Sequence, residues 1–353
     1  MSDVYEIEDI GRGTPFFEGG RQANPIETAT TTLLSGEVPR FQHFLEEALR
    51  PQARYLTETE LGIYQRGKKI RPHLLMLSAK LIAPDAPCSD KVIKASVSLE
   101  MLHVASLIHD DIIDDALLRR GLQSVNASRG TNAAILVGDL QFLQAIRNFL
   151  SAIETEHEMH LVGSVLDAAF NICTGELDEI ATEPHWDTET LIKRYFSVIE
   201  RKTAIMFGLA CETGIALVDG RSSDARRLGF YGRRIGRAFQ VMDDILDFMQ
   251  SDEAAGKRAG IDLEMRRLTL PIIFAMDALG PDHVVTKHIH GDSDELDISQ
   301  ALDAVRETDA IPRSYAMARE SALEALDYLE PFPRSPAHDI LSDLAMYIVD
   351  REF

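Results

Sequence analysis

Positive charge is in short supply in this chain: across 353 residues, 36 Lys and Arg stand against 57 Asp and Glu, a net charge of −21. With no general positive field to attract phosphate backbones, a non-specific nucleic-acid binder is excluded. Any phosphate ligand must therefore be held by local basic groups and metal ions. Cysteine is scarce as well. Cys88, Cys173 and Cys211 lie far apart and match no metal-ligand spacing. Cys173 and Cys211 sit among apolar neighbours and read as small, reduced core residues. The stretch MSDVYEIEDIGRG lacks the basic flank and apolar centre of an export signal, and no apolar run approaches membrane-spanning length. The expectation is a cytoplasmic protein with no integral membrane segment, peripheral membrane contact for product release being left open. Clean period-two alternation is scarce too, which argues against a β fold.

What is present is helical periodicity and enough apolar content, 45%, for a substantial core. Residues 1–35, rich in Gly, Thr and acids with weak periodicity, are expected to form an irregular arm. From there to residue 353 the chain reads as one all-α domain. Its segments include KVIKASVSLEMLHVASLIHDDIID, NAAILVGDLQFLQAIRNFLSAI and DARRLGFYGRRIGRAFQVMDDILDFM, each with apolar residues at three-to-four spacing. Short Pro-, Gly- and cap-rich links such as APDAPCS and DGRSSD separate them. The economical solution is a single-domain bundle of long helices. The polar stretch near 282–313 reads as a loop followed by an outer helix.

Two of these segments carry the same acidic cluster, Asp110-Asp111-Ile112-Ile113-Asp114 and Asp243-Asp244-Ile245-Leu246-Asp247. On a helix the first and fifth positions share a face, so Asp110 with Asp114, and Asp243 with Asp247, can reach one cation. Asp111 and Asp244 point about 100° away and suit metal-bound water. A single cluster is commonly a solvated acidic face. Here both lie in apolar surroundings, VASLI and AFQVM, where unpaired carboxylates are costly. An all-oxygen donor set of this kind favours Mg2+ bound together with a phosphate. Two such faces imply a polyphosphate clamped between them, and one domain in which they meet.

The basic groups are local. Gly67-Lys68-Lys69-Ile70-Arg71-Pro72 offers Lys68 and Arg71, with Pro72 placed at a helix start. Arg119 and Arg120 follow the first cluster and point to different sides. Lys202 and Thr203 add an ammonium and a hydroxyl, and Lys257 lies in the Gly-rich stretch after the second cluster.

The ordered set GKKIRP, HVASLIHDDIID with ALLRRG, RKTA, FQVMDDILDF and GKRAGIDL with TLP, over about residues 40–275, resembles the trans-isoprenyl diphosphate synthase (polyprenyl synthetase) family. The resemblance implies an all-α fold around a deep central cavity, a homodimer, and Mg2+-dependent 1′-4 condensation of isopentenyl diphosphate with an allylic diphosphate. Three Mg2+ ions per active site go with it. By the same resemblance Asp110, Asp114 and Asp243 match direct metal ligands, and Asp111, Asp244 and Asp247 supporting carboxylates. Arg119, Lys202, Thr203, Gln240 and Lys257 fall around the allylic diphosphate, while Lys68, Arg71, His103 and Arg120 match the isopentenyl diphosphate pocket. His103, seven residues before Asp110, lies on the same helix face two turns away.

Product length is expected to depend on the residues below Asp110. Ala105 and Ser106 lie about 6 to 7.5 Å down the helix axis, too small to form a floor, with Met101 and Leu102 a turn further. Phe142, Leu143, Ile146 and Phe149 are candidates for a deeper floor, and a medium-to-long all-trans product follows. Two positions depart from the family pattern. Arg266-Arg267 replaces Gly-Lys before LTLP, and Glu179 stands where glutamine is common. The competing readings are a short-chain farnesyl or geranylgeranyl diphosphate synthase, a class I terpene cyclase, and a regulatory subunit of a heteromeric synthase. A cyclase needs no isopentenyl pocket, and a regulatory subunit is expected to have lost part of one cluster.

Overall fold

A computed structural model describes residues 23–119, 121–249, 259–293 and 296–350. Almost everything in it is helical. The chain runs through α1 (Pro25–Thr31), α2 (Glu37–Leu49), α3 (Glu58–Gln65), α4 (Ile70–Ile82) and α5 (Asp90–Ile113). A two-stranded ribbon follows, β1 (Leu118–Arg119) with β2 (Leu122–Gln123), then α6 (Val125–Arg129), α7 (Thr131–Leu150), α8 (Met159–Ile180) and α9 (Thr188–Ile199). A π-helical turn, Glu200–Ala204, joins α9 to α10 (Ile205–Ala216). Then come α11 (Ser222–Met249), α12 (Ile261–Glu264), α13 (Leu270–Leu279), α14 (Val284–His290), α15 (Ile298–Arg306), α16 (Ala310–Leu329) and α17 (Pro336–Asp350).

The core is one contiguous apolar cluster built on α4, α5, α10, α11, α13, α16 and α17. α5 packs along α7, and α11 lies between α10 and α16. Both of the helices that carry aspartates are therefore central. Close approach at the site depends on Gly236 of α11, where a Cβ would lie 2.7 Å from the Ala204 Cα. Any larger residue would push α11 away from the π turn.

Several expectations are corrected. The arm expected to be irregular to residue 35 contains α1, capped by the Asn24 side chain, with Pro25, Ile26 and Ala29 buried against α17 and α4. Its Thr30 hydroxyl meets His73 Nε2 at 2.8 Å, a tertiary contact that no local pattern announces. An apolar stretch of spanning length does exist. α5 is 24 residues long and its most apolar 18-residue window has mean hydropathy 1.2, but 72% of that window is buried, as in a core helix. Its serines do not interrupt it, because Ser96, Ser98 and Ser106 turn their hydroxyls back onto the carbonyls of Ile93, Lys94 and His103. Cys173 is exposed rather than buried, since it falls on the outer side of α8. Residues 282–313 hold two helices, α14 and α15, both with buried apolar faces. The small ribbon pairs Arg119 with Leu122 around Gly121, whose φ of 74° suits glycine.

Candidate active site

The two acidic clusters occupy the C-terminal parts of α5 and α11. α5 ends at Asp114, its C-cap, where Asp115 takes a left-handed φ of 47°. Carboxylates there meet the negative end of the helix dipole, and neither helix has a basic residue in its last turn. Both ends therefore call for cations from elsewhere. Tertiary structure supplies Arg119 and Arg267 to the α5 end and neutral donors to the α11 end.

Asp111 is fully buried and accepts from Arg119 Nε at 2.7 Å, with Arg119 Nη2 at 2.5 Å. Its second oxygen, Oδ2, is buried without a hydrogen-bond partner. Asp114 pairs with Arg267 Nη2 at 2.5 Å, and the same guanidinium reaches Asp262 Oδ1 at 3.5 Å through Nη1. On α11, Asp244 is buried and accepts from Tyr195 OH at 2.5 Å and Gln240 Nε2 at 2.9 Å. Asp247 accepts the backbone amides of Ile261 and Asp262 at 3.2 and 2.9 Å, so it braces the segment that bears Arg267. Asp243 is exposed beside them.

Burial pushes the Asp110 carboxyl up to about 7, opposed by Lys202 and reinforced by Glu176. Burial likewise raises Asp244, Asp247 and Asp262, and neighbouring acids hold Asp244 and Asp262 higher still. The site is thus overloaded with negative charge. The orphaned Asp111 oxygen, the raised carboxyls and the all-oxygen donor set fit a hard divalent cation. Among the described residues no ready cage of three or more acidic, His or Cys side chains exists. The aspartates are shared out among protein donors instead. Asp111, Asp244 and Asp247, expected among the metal residues, spend oxygens on Arg119, on Tyr195 with Gln240, and on backbone amides.

Lys202 and Thr203 sit on the π turn, an irregularity that recurs at functional sites. Thr203 Oγ1 donates to Gln240 Oε1 at 2.8 Å. The Lys202 ammonium is held by both Glu176 and Glu179 of α8. Burial opposes its charge, yet these two carboxylates keep its pKa above the usual lysine range. Arg267, the departure from Gly-Lys noted above, carries the link between the clusters: it joins Asp114 of α5 to Asp262 beside Asp247 of α11.

The second basic group lies at the start of α4. Lys68 is exposed, and Arg71 stands over the Phe207 ring, 4.8 Å from its centroid. Lys69 between them turns away, with φ of 49° and its Nζ 2.7 Å from the buried Glu100. This turn meets the ribbon, since a Cβ on Gly121 would lie 3.4 Å from Arg66 Nη1. Arg120 and Lys257 lie outside the described residues. His103 is half-buried on α5. Of the four residues expected to control product length, Met101, Leu102 and Ala105 are buried at 0%, 2% and 1% exposure. Ser106 alone shares partial exposure with His103 and Asp110. Of the deeper candidates Phe149 is buried and Leu143 is 58% exposed, because α7 turns different faces inward and outward.

The polyprenyl synthetase family profile matches residues 54–305. The chain belongs to the polyprenyl synthetase family. Like the "Heptaprenyl diphosphate synthase component 2" of Geobacillus stearothermophilus, with which it is 32% identical over 329 residues, it spans nearly a whole relative: 92% of this chain and 99% of that one. A "Short chain isoprenyl diphosphate synthase" of Methanothermobacter thermautotrophicus is 32% identical over 298 residues, 84% of this chain and 90% of that one. The crystal structure of a heptaprenyl diphosphate synthase from Staphylococcus aureus superposes with a TM-score of 0.79 at 25% identity, over 90% of this chain and 98% of that one. The protein is accordingly a trans-prenyltransferase that condenses isopentenyl diphosphate with an allylic diphosphate. Enzymes of the polyprenyl synthetase family depend in general on Mg2+.

Sequence reasoning missed Asp262, Tyr195 and Glu176 as site residues. Asp262 was legible as an acid inside GIDLE. Tyr195 and Glu176 had no signal, because only the packing of α8 and α9 against α11 brings them in.

Proposed function

We propose that this polyprenyl synthetase makes a medium-to-long all-trans polyprenyl diphosphate by repeated addition of isopentenyl diphosphate, with three Mg2+ ions per active site. The observation that carries the site assignment is the Arg267 bridge, which ties the Asp114 end of α5 to the Asp262 segment braced by Asp247. It supports the reading that both acidic faces address one ligand. Direct ligation of Mg2+ falls to Asp110, Asp114 and Asp243, while Asp111, Asp244 and Asp247 are engaged by Arg119, by Tyr195 with Gln240, and by backbone amides. When bound, the metal supplies electrostatic stabilisation of the departing diphosphate.

The protein's own groups do the rest. Arg119, Lys202 and Arg267 hold diphosphate oxygens while the allylic cation forms, with the Thr203–Gln240 pair beside them, and Lys257 is assigned to the same diphosphate by the family resemblance. Lys68, Arg71, Arg120 and His103 hold the isopentenyl diphosphate so that its double bond faces the cation. The final proton goes to the released diphosphate. The small Ser106 on the Asp110 face leaves room for a growing chain, and the heptaprenyl relatives support that length.

The apolar side chains left exposed on α7 and α8, among them Leu136, Leu143, Phe170, Leu177 and Ile180, support a homodimer through these helices. The name "component 2" carried by the relative from Geobacillus makes a different second subunit the alternative occupant of that face. The test is purified protein with isopentenyl diphosphate, Mg2+ and allylic primers of several lengths, with products sized by chromatography. Products longer than geranylgeranyl are expected. Products that stop at farnesyl or geranylgeranyl support the short-chain reading, and no product from any primer refutes the assignment.

A further inference from the structure

Glu179 is the acid that stands where glutamine is common, and the structure gives it a specific neighbour. Glu176 and Glu179, three apart on α8, face the same way and grip the ammonium of Lys202 from both sides. Gly175 makes this possible: a Cβ there would lie 2.9 Å from Lys202 Cγ and 3.3 Å from its backbone nitrogen. The helix can press against the π turn only because that Cβ is missing. Glu176 is the deeper of the two acids at 17% side-chain exposure, and it acts on Asp110. Glu179, at 40%, is the outer jaw and acts on Asp244, Asp262 and Arg267. Its carboxylate thus touches Lys202 and also repels the second acidic face.

One glutamate suffices to neutralise one lysine. The second leaves the ammonium with a standing competitor for any anion that enters. A diphosphate must displace Glu179 from Lys202 or share the ammonium with it, so each anion binds more weakly than it would to a free Lys202. The competition falls equally on an incoming allylic diphosphate and on spent inorganic diphosphate, but only the latter has no prenyl chain to hold it in the site.

We propose that Glu179 is a positioning residue that keeps Lys202 partly occupied, weakening the hold on inorganic diphosphate so that the leaving group departs after each condensation. The link to turnover rests on the prenyltransferase reading above. The competition for Lys202 does not. The jaw acts through Lys202, rather than by direct repulsion of the ligand, because its nearest charged partner is that ammonium.

The experiment is calorimetric titration of inorganic diphosphate into wild type, Glu179→Gln, Glu179→Asp, Lys202→Gln and the Glu179→Gln/Lys202→Gln double variant. Each is titrated once in EDTA and once with Mg2+, with folding checked by circular dichroism. Glu179→Gln is expected to bind inorganic diphosphate about three- to tenfold more tightly than wild type, as expected for removing a competing charged hydrogen bond at a partly exposed pair. Glu179→Asp should stay near wild type. The gain should vanish in the Lys202→Gln background, which separates competition for Lys202 from simple repulsion. In turnover assays Glu179→Gln should lower both KM for the allylic diphosphate and kcat, with inhibition by diphosphate tightening in parallel. Binding by Glu179→Gln that is unchanged or weaker, or a gain that survives loss of Lys202, overturns the proposal. Wild type that forms no prenyl product defeats the reaction assigned above, while the titrations still decide the role of Glu179.

Discussion

Replacing Arg267 with alanine should destabilise the metal-free protein and make its stability depend on Mg2+. The guanidinium lies 2.5 Å from Asp114 and 3.5 Å from Asp262, the closest described link between the two acidic elements. At an effective dielectric of about 20, one contact pair at about 4 Å carries about 4 kcal/mol of attraction, much of it offset by desolvation. Breaking a fully buried pair costs about 3–5 kcal/mol because the surviving charge is stranded, whereas an exposed pair contributes about 1 kcal/mol or less. Arg267 is 31% exposed, Asp114 29% and Asp262 10%. The geometry is intermediate, and the expected loss is about 2 kcal/mol. For a chain of this size that is a fall in melting temperature of about 3 °C.

The stranded acids are the ones a divalent cation can neutralise, so millimolar Mg2+ should recover most of the loss by mass action. Wild type, whose Arg267 already serves Asp114, should gain less. The assay is differential scanning fluorimetry of wild type, Arg267→Ala and Arg267→Lys in EDTA and across a Mg2+ series, checked by calorimetry. Arg267→Lys keeps the charge but loses the two-pronged reach, and should fall between. If Arg267→Ala melts within about 0.5 °C of wild type in EDTA, a difference worth about 0.4 kcal/mol, the bridge carries no appreciable stability. If Mg2+ raises both proteins equally, the guanidinium does not stand in for a cation.

Four further outcomes are expected. Ser106→Phe should shorten the product seen by chromatography with the fold intact. Ala105→Phe, forced into a site with 1% exposure, should instead cost about 1–3 kcal/mol in denaturant unfolding. Burial pushes the thiols of Cys88 and Cys211 up to about 11 and about 12. With an aromatic disulfide reagent at pH 8 the native protein should therefore show one fast thiol, the exposed Cys173, lost in Cys173→Ser. Burial holds His73 below the usual histidine value, so the unfolded chain takes up its proton first. The associated stability is present above about pH 6.5 and is lost as pH falls below it, by at most about 1.4 kcal/mol per pH unit. The difference between wild type and His73→Gln in urea midpoints at pH 7 and pH 5 should show this trend, and a flat difference refutes it.

The helical character and the acidic and basic groups of the candidate site were legible in the chain. Three-to-four spacing in VASLIHDDIID and AFQVMDDILDF specifies helices, because side-chain direction on a helix is a local property. The two acidic repeats were legible for the same reason, their spacing placing carboxylates on one face. The scarcity of positive charge showed that phosphate had to be held by a few particular groups. What each group touches was not legible. Nothing local to Glu176, Tyr195 or Asp262 says that helices distant in sequence deliver them to the aspartates. Ala105 and Ser106 are adjacent and both small, yet packing buries one and leaves the other on the open face. The Arg266-Arg267 substitution looked like a loss of pattern until the fold showed Arg267 joining the two acidic elements. Sequence determines periodicity and charge, which act over one or two turns. Which charges meet is decided by the crossing of α5, α8, α11 and the π turn, set by close contacts such as those at Gly175 and Gly236.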